Sequence, residues 1–475
     1  MTLRIGTALP LLQTGGLSGI VELLTVELLV GAGWDGRPVP RLAESWQELP
    51  DARGVRLKLR PGVRFHTGEL VTAPEVVRLL KAEIAVTRAQ GVSGSEIIER
   101  IEADGDDAIV IRYTKPDAFF LTDLNLYNIS DQRDAQLRTG PYRIVAEKPV
   151  VQLAAFDGYY QGRPAIDRVE IAAYATPRAA WTAMMRGEVN FLHEVSRDAV
   201  EFVEAESEVK TYPLLRPYYV ALVFNTAHAA LGKRDVRVAL SEAVDRQAIV
   251  DVGMWGHGRA ADGPLWPYHW AYSSAQRTYA FNPDAARLRL DSAGFKRADR
   301  RDAKLMDSRF RFTCLLPNND IRFERIALIL QRQLAEIGVD MDFEALTTRS
   351  MVERLGTGRF DAFLFEMTSG RTLSWIYRFW HSPAPGAPPL FLSGYRGADE
   401  PLDRLRNSRS DHEVRVAVAD VQRALYEDPP ALFLAWPRET RAIDTTFSMP
   451  YEPDQDVLGT VWRGRPAGQV VRAAR

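Results

Sequence analysis

The chain has one cysteine, Cys314, so an intramolecular disulfide is impossible and the redox compartment stays undecided. Long apolar runs are missing as well. The most hydrophobic early stretch, Val21 to Val30, is short and broken by Glu22 and Glu27, which excludes a membrane-spanning helix there. Charge of one sign is not in excess: the formal net charge is −2, which supplies no global attraction to nucleic acid or to an anionic membrane. The seven histidines (66, 193, 228, 257, 269, 381 and 412) lack metal-site spacing, and His193-Glu194 is merely an adjacent pair, so no metal and no cofactor is expected. No G-x-S-x-G elbow occurs, and no Ser or Cys clusters with His, so nucleophilic catalysis has no local support. A secretory leader is also missing, because Leu3-Arg4-Ile5-Gly6 already reads as a first core strand. The leader was trimmed, or the start is misplaced, or the protein is cytosolic. No internal repeat or low-complexity tract is present.

At 475 residues the chain exceeds what one hydrophobic core serves, which predicts two or three domains. The stretch 34–77 is its most informative part. Asp35-Gly36, Pro38 and Pro40 are turn chemistry. Val55, Leu57 and Leu59 alternate with Arg56, Lys58 and Arg60, the period-2 pattern of a half-buried strand. Thr72-Ala73-Pro74-Glu75 is a capping box, and Val76, Leu80 and Ile84 then form one apolar stripe. Gly31 to Gly36 matches G-x-G-x-x-G, but it follows a helix and runs into prolines, so it is a turn and not a dinucleotide site. Later, Asp235 reads as the cap of a helix carrying Val236, Leu240 and Val244, and Asn282-Pro283 as N-cap and N1 of another. From Phe310 to Met367 the pattern is strand, helix (320–337), strand, short helix, strand. In such open sheets ligands sit beyond the carboxyl ends of the strands, here Pro317 to Asn319 and Thr368 to Arg371.

Gly36-Arg37-Pro38-Val39-Pro40, Leu42-Ala43-Glu44-Ser45-Trp46 and Leu59 through Gly68 together resemble the family 5 extracellular solute-binding proteins, the peptide/nickel class of ABC importer receptors. Thr139 to Ile144, Tyr159 to Asp167 and Gly187 to Leu192 resemble later segments of the same family, so the likeness recurs along nearly the whole chain. It implies an α/β, two-lobed periplasmic-binding-protein fold of class II type, with an extra subdomain in the first lobe and a hinge between lobes. The expected division is 1–33, 140–225 and 438–475 for the first lobe, 34–139 for the inserted subdomain and 226–437 for the second lobe, with the crossover near Phe224-Asn225-Thr226. The subdomain should carry its own core, including Trp46, Leu57, Leu59 and Leu80.

The resemblance further implies a monomeric, non-enzymatic receptor, periplasmic or at the cell surface, that closes on a solute and docks an ABC permease. It favours a trimmed leader or a misplaced start over a cytosolic protein. In the family's oligopeptide and dipeptide receptors an Asp pairs with the peptide's ammonium; the matching position here is Gly370, followed by Arg371. A guanidinium repels an ammonium and suits a carboxylate or phosphate. In the nickel-chelate receptors a His stands where this chain has Trp375. The candidate ligand-binding residues are therefore Thr368, Ser369, Gly370, Arg371 and Trp375, with Thr14, Gly15, Gly16, Asn128 and Tyr218 on the remaining walls. Two rival classes stay open: a hydrolase using paired carboxylates in the cleft, and a ligand-independent regulatory or chaperone-like module.

Overall fold

The computed structural model describes residues 1–8, 17–89, 97–131, 134–296, 308–383 and 390–468. Its backbone is a twelve-stranded mixed sheet that one strand, Ala431–Asp444, carries through from end to end. On one side of that strand the order is Tyr218–Phe224, Ala362–Thr368, Phe310–Pro317, Val339–Leu346. On the other it is Phe191–Leu192, Thr2–Ala8, Arg168–Tyr174, Val151–Ala155, Tyr142–Ala146. The two halves are the cores of two lobes.

In the half containing Tyr218–Phe224, alternation decides which core each side chain enters. Val220, Leu222 and Phe224 join a core with Leu364, Leu432 and the helix Ile321–Glu336. Tyr219, Ala221 and Val223 face the opposite way, with Phe363, Phe433 and Trp380. A strand covered on both faces needs a near-continuous apolar run, and Tyr218 to Phe224 is one. The strand–helix–strand pattern from 310 to 368 is present as read, with Asp320 accepting a hydrogen bond from the Arg322 amide as N-cap and Gly338 closing the helix in the left-handed region (φ +78°). Asn282 and Pro283 cap the helix Pro283–Ser292 as predicted. Asp235 does not cap: the helix Arg234–Glu242 begins one residue earlier, after Lys233, and places Asp235 in its first turn.

The segment that opens at Trp34 builds a separate four-stranded antiparallel sheet, in the order Ala43–Glu48, Gly54–Leu59, Ala108–Tyr113, Ile98–Asp104. The helix Ala73–Ala89 lies against it and buries Val76, Leu80 and Ile84. Leu57, Leu59 and Leu80 belong to that core, whereas Trp46 only packs on its edge, half-buried on an outer strand.

At one strand the sheet pairing differs from the expected division. The strand Tyr218–Phe224, assigned from sequence to the first lobe, pairs along its whole length with Ala362–Thr368 and with residues 431–435 in the other half of the sheet. Its predecessor Val209–Leu215 pairs with residues 438–444. The chain passes from one part of the long strand to the other at Arg216-Pro217. The signal was Pro217, which has no N–H to continue a ladder.

Candidate functional site

Three segments meet where the chain passes between the halves of the sheet. The first leaves the carboxyl end of Ala362–Thr368. Ser369 and Gly370 both donate backbone N–H groups to the Pro217 carbonyl, at 2.8 and 3.1 Å, which fastens this loop to the crossover. Gly370 and Arg371 then take left-handed conformations (φ +63° and +60°), and the helix Ser374–Trp380 follows. A Cβ on Gly370 would lie 2.4 Å from Cδ1 of Trp375. The indole therefore occupies the place of any side chain at 370, and glycine is required there for both backbone and space. Trp375 stacks on Phe379 with ring centroids 5.7 Å apart, and the Arg378 guanidinium lies 4.9 Å from its ring.

Arg371 is half-buried, with its guanidinium 5.5 Å from the ring of Trp34. Among the described residues it makes no hydrogen bond or ion pair. Burial pushes its pKa down and the Asp456 carboxylate opposes that shift, without removing a charge that guanidinium holds at any ordinary pH. Trp34 is anchored in turn: its carbonyl accepts from Trp266 Nε1 at 2.8 Å, and the two rings meet edge to face at 4.9 Å. Gly36 sits so close to the Arg371 carbonyl that a Cβ would fall 2.3 Å from it. The turn Trp34 to Gly36 and the loop Ser369 to Arg371 are thus packed as one piece.

The second segment is the crossover itself. Here an unbroken chain of alternating charges runs from one half of the molecule to the other. Arg322 pairs with Asp320 at 2.8 Å and with Glu366 at 2.6 Å. Glu366 and Glu439 both pair with Arg216, each at 2.8 Å. Glu439 lies 3.4 Å from Arg441, which pairs with Asp456 at 2.7 Å. Burial opposes ionisation of Glu366, but Arg322, Arg216 and Arg197 outweigh it and hold its pKa at about 2. Tyr218 faces Thr368 in register and lies under the Arg216 guanidinium at 4.2 Å.

The third segment leaves the carboxyl end of Phe191–Leu192. The His193 ring is 3.4 Å from the Thr7 hydroxyl, and its pKa is pushed down to about 3 by burial, so it is neutral. Arg441 donates to the His193 carbonyl. Glu194 and Arg197 follow.

Of the predicted residues, Tyr218, Thr368, Ser369, Gly370, Arg371 and Trp375 are brought together. Ser369 is buried, with a hydroxyl that has no partner among the described residues. Asn128 contacts Leu28 through a strand bridge and Glu22 through its amide at 3.5 Å, and among the described residues no hydrogen bond or ion pair joins it to the 368–375 loop. Thr14, Gly15 and Gly16 lie outside the described residues. Sequence reasoning missed Trp34, Arg216, Glu366, Glu439 and Arg441. Apart from the neighbouring Glu439 and Arg441, the contacts join segments far apart in sequence, and the local sign was Arg216 next to Pro217. No group of three or more potential metal ligands occurs among the described residues, and none of their helices is long and apolar enough to cross a membrane.

A family model described as "Bacterial extracellular solute-binding proteins, family 5 Middle" matches residues 37–385. The chain belongs to that family. This family 5 chain is a solute-binding protein of the kind that serves ABC importers, a class whose members are extracellular or periplasmic and deliver solutes to a permease. It is 26% identical over 449 residues to the oligopeptide-binding protein AppA of Bacillus subtilis, covering 88% of this chain and 81% of that one. It is 24% identical over 437 residues to a glutathione-binding protein of Pectobacterium atrosepticum, covering 86% and 82%. Its fold matches a solved structure of NikA from Brucella suis with Fe(III)-EDTA, with a TM-score of 0.84, 19% identity and coverage of 98% and 100%. That match is to a two-lobed binding protein, which agrees with the two-part sheet described above.

Proposed function

We propose that this family 5 protein captures a peptide-like or other small polar or anionic solute between its lobes, at the loop Thr368 to Trp375. The observation that carries the reading is the pairing of Gly370 with Arg371. A side chain able to neutralise an ammonium has no room at 370, and the adjacent guanidinium lacks an anionic partner among the described residues. A flat or apolar part of the solute would lie against Trp375 or Trp34. Capture works by hinge closure, because a ligand that touches both lobes stabilises the closed state over the open one. The hinge is assigned to Arg216-Pro217 and Pro437-Arg438. The segments 1–33, 140–216 and 438–475 then make the first lobe, 34–139 its subdomain and 217–437 the second lobe. The protein acts as a monomer outside the cytoplasm, hands its solute to a permease and does not turn it over.

Native mass spectrometry of protein purified without refolding reads the retained solute directly. The expected solute is anionic or neutral polar, and Arg371→Ala should weaken it roughly ten- to a hundredfold, the effect of losing one charge-assisted hydrogen bond of about 1.5–3 kcal/mol. Tight binding of simple di- or tripeptides with a free amine, unaffected by Arg371→Ala, would overturn the reading.

A further inference from the structure

Two consecutive phenylalanines enter different cores. Phe120 is buried in the core of the 34–139 subdomain, with Leu124, Leu29 and Val30. Phe119 is buried in a core of the second lobe, with Ile376, Trp380, Leu402 and Leu405. The pair stands at the start of the short helix Phe120–Asp123, between Asp117 and Asp123.

Both aspartates reach across to the second lobe. Asp117 pairs with Arg406 at 2.7 Å, at the end of the helix Asp399–Arg406, and the Ala118 amide donates to the Arg406 carbonyl at 2.8 Å. Asp123 pairs with Arg378 at 3.6 Å, on the helix Ser374–Trp380. The Arg406 guanidinium lies 4.9 Å from the Tyr377 ring, which meets the Phe119 ring at 5.9 Å. None of the four charged side chains is more than 13% exposed, so water and salt screen these pairs little. Arg378 also lies 4.9 Å from the ring of Trp375, so the contact reaches the wall of the candidate site.

The same subdomain is fastened to the first lobe. The Leu42 and Ala43 amides donate to the carbonyls of Leu28 and Leu29 at 3.1 and 3.0 Å. His66 Nε2 donates to the Gly140 carbonyl at 3.0 Å, and Arg138 donates to the Thr25 hydroxyl at 2.7 Å. A body attached to both lobes cannot follow both when they part. The segment 117–123 is the attachment without a chain connection, so it is the one that lets go. Its release exposes Phe119 and separates two buried ion pairs, which is unfavourable on both counts.

We propose that Asp117 to Asp123 is a clasp by which the subdomain holds the second lobe against the first, biasing the protein toward its closed form. The inference rests on the hinge-closure reading above and gives the subdomain a function in it. A solute then needs less differential affinity to complete closure.

The test measures the distance between spin labels on Lys81→Cys and Val352→Cys by double electron–electron resonance. Both positions are exposed, one on the subdomain and one on the second lobe, and Cys314 is buried. The protein is first freed of retained solute by extensive dialysis in sub-denaturing urea. Wild type should populate mainly the shorter distance. Asp117→Asn/Asp123→Asn keeps side-chain size and removes the charges, and should raise the longer-distance fraction roughly tenfold or more. Phe119→Ala should do the same, and if it does not fold the aspartate variant carries the test alone. Arg100→Met, which breaks an exposed pair within the subdomain, should leave the distances unchanged. Wild-type distances in the aspartate variant would overturn the clasp, as would a wild type that is already mostly open. Native mass spectrometry of the undialysed proteins keeps the two readings apart. Variants that open in a protein retaining no solute would support the clasp and remove the capture reading; retained solute with unmoved distances would do the reverse.

Discussion

Position 370 shows how its neighbours can confine one residue to glycine. Its backbone is left-handed, and the Trp375 indole fills the space of a side chain. Gly370→Ala should therefore cost roughly 1–2 kcal/mol for the strained backbone and about 1–3 kcal/mol for overpacking, measured by urea unfolding. In Gly370→Ala/Trp375→Ala the overpacking part should disappear, so the two substitutions should couple by about 1 kcal/mol or more. Strict additivity would mean that the indole does not restrain this site. The glycine was visible in the sequence as a departure from the family's acidic residue. That its neighbour five positions on enforces the departure was not visible, because it depends on how the turn and the helix Ser374–Trp380 fold back together.

Among elements, the strands that cross between the lobes are distinctive. Val209–Leu215 and Tyr218–Phe224 form one ribbon interrupted by Arg216-Pro217, and both pair with the single strand Ala431–Asp444. Arg216 is buried at the break and serves Glu366 and Glu439 together. Removing one member of a buried ion pair leaves charge without compensation, so Arg216→Met should destabilise by about 3–5 kcal/mol. Glu366→Gln/Arg216→Met should cost less than the sum of its single changes, because the double variant strands one carboxylate fewer. Chemical unfolding of the four proteins checks this. An Arg216→Met loss below about 0.5 kcal/mol, the range of ordinary surface substitutions, would show that the charge chain does not stabilise the crossover.

For the whole molecule the pH dependence of stability follows from buried histidines. Burial pushes the pKa values of His66 and His269 down to about 4 and that of His193 to about 3. An unfolded histidine titrates near 6.5, so between that value and about 4 the unfolded chain binds protons that the native state refuses. Stability should be full above pH 6.5 and fall as pH drops toward 4, by on the order of 2 kcal/mol per histidine at pH 5. Asp123 runs the other way: burial raises its pKa to about 6, so its contribution is present at low pH and lost as pH rises through 6. Burial also raises the carboxyls of Glu27, Asp117, Glu194 and Asp262, which act with Asp123, and lowers His257, which acts with the other histidines. If the histidines dominate, urea unfolding at pH 7.5 and 5.0 shows the lower stability at 5.0. Equal stability at the two values would contradict this.

The sequence by itself determined the elements whose cause is local. Period-2 alternation, caps such as Asn282 and Asp320, and the glycine stop at 338 act within a few residues, and the strand and helix pattern from 310 to 368 was legible for that reason. Family motifs extended that legibility to the two-lobed plan and the receptor class. Only the tertiary structure decided which strands Tyr218–Phe224 pairs with, because an apolar strand suits either half of the sheet and its partners in Ala362–Thr368 lie more than a hundred residues away. The same holds for the site. Arg371 and Gly370 were singled out as candidates by counting along one segment, whereas Trp34, Arg216 and Glu439 come to lie beside the crossover only when two sheets and a subdomain close around it, and contacts of such long sequence separation leave no periodic trace.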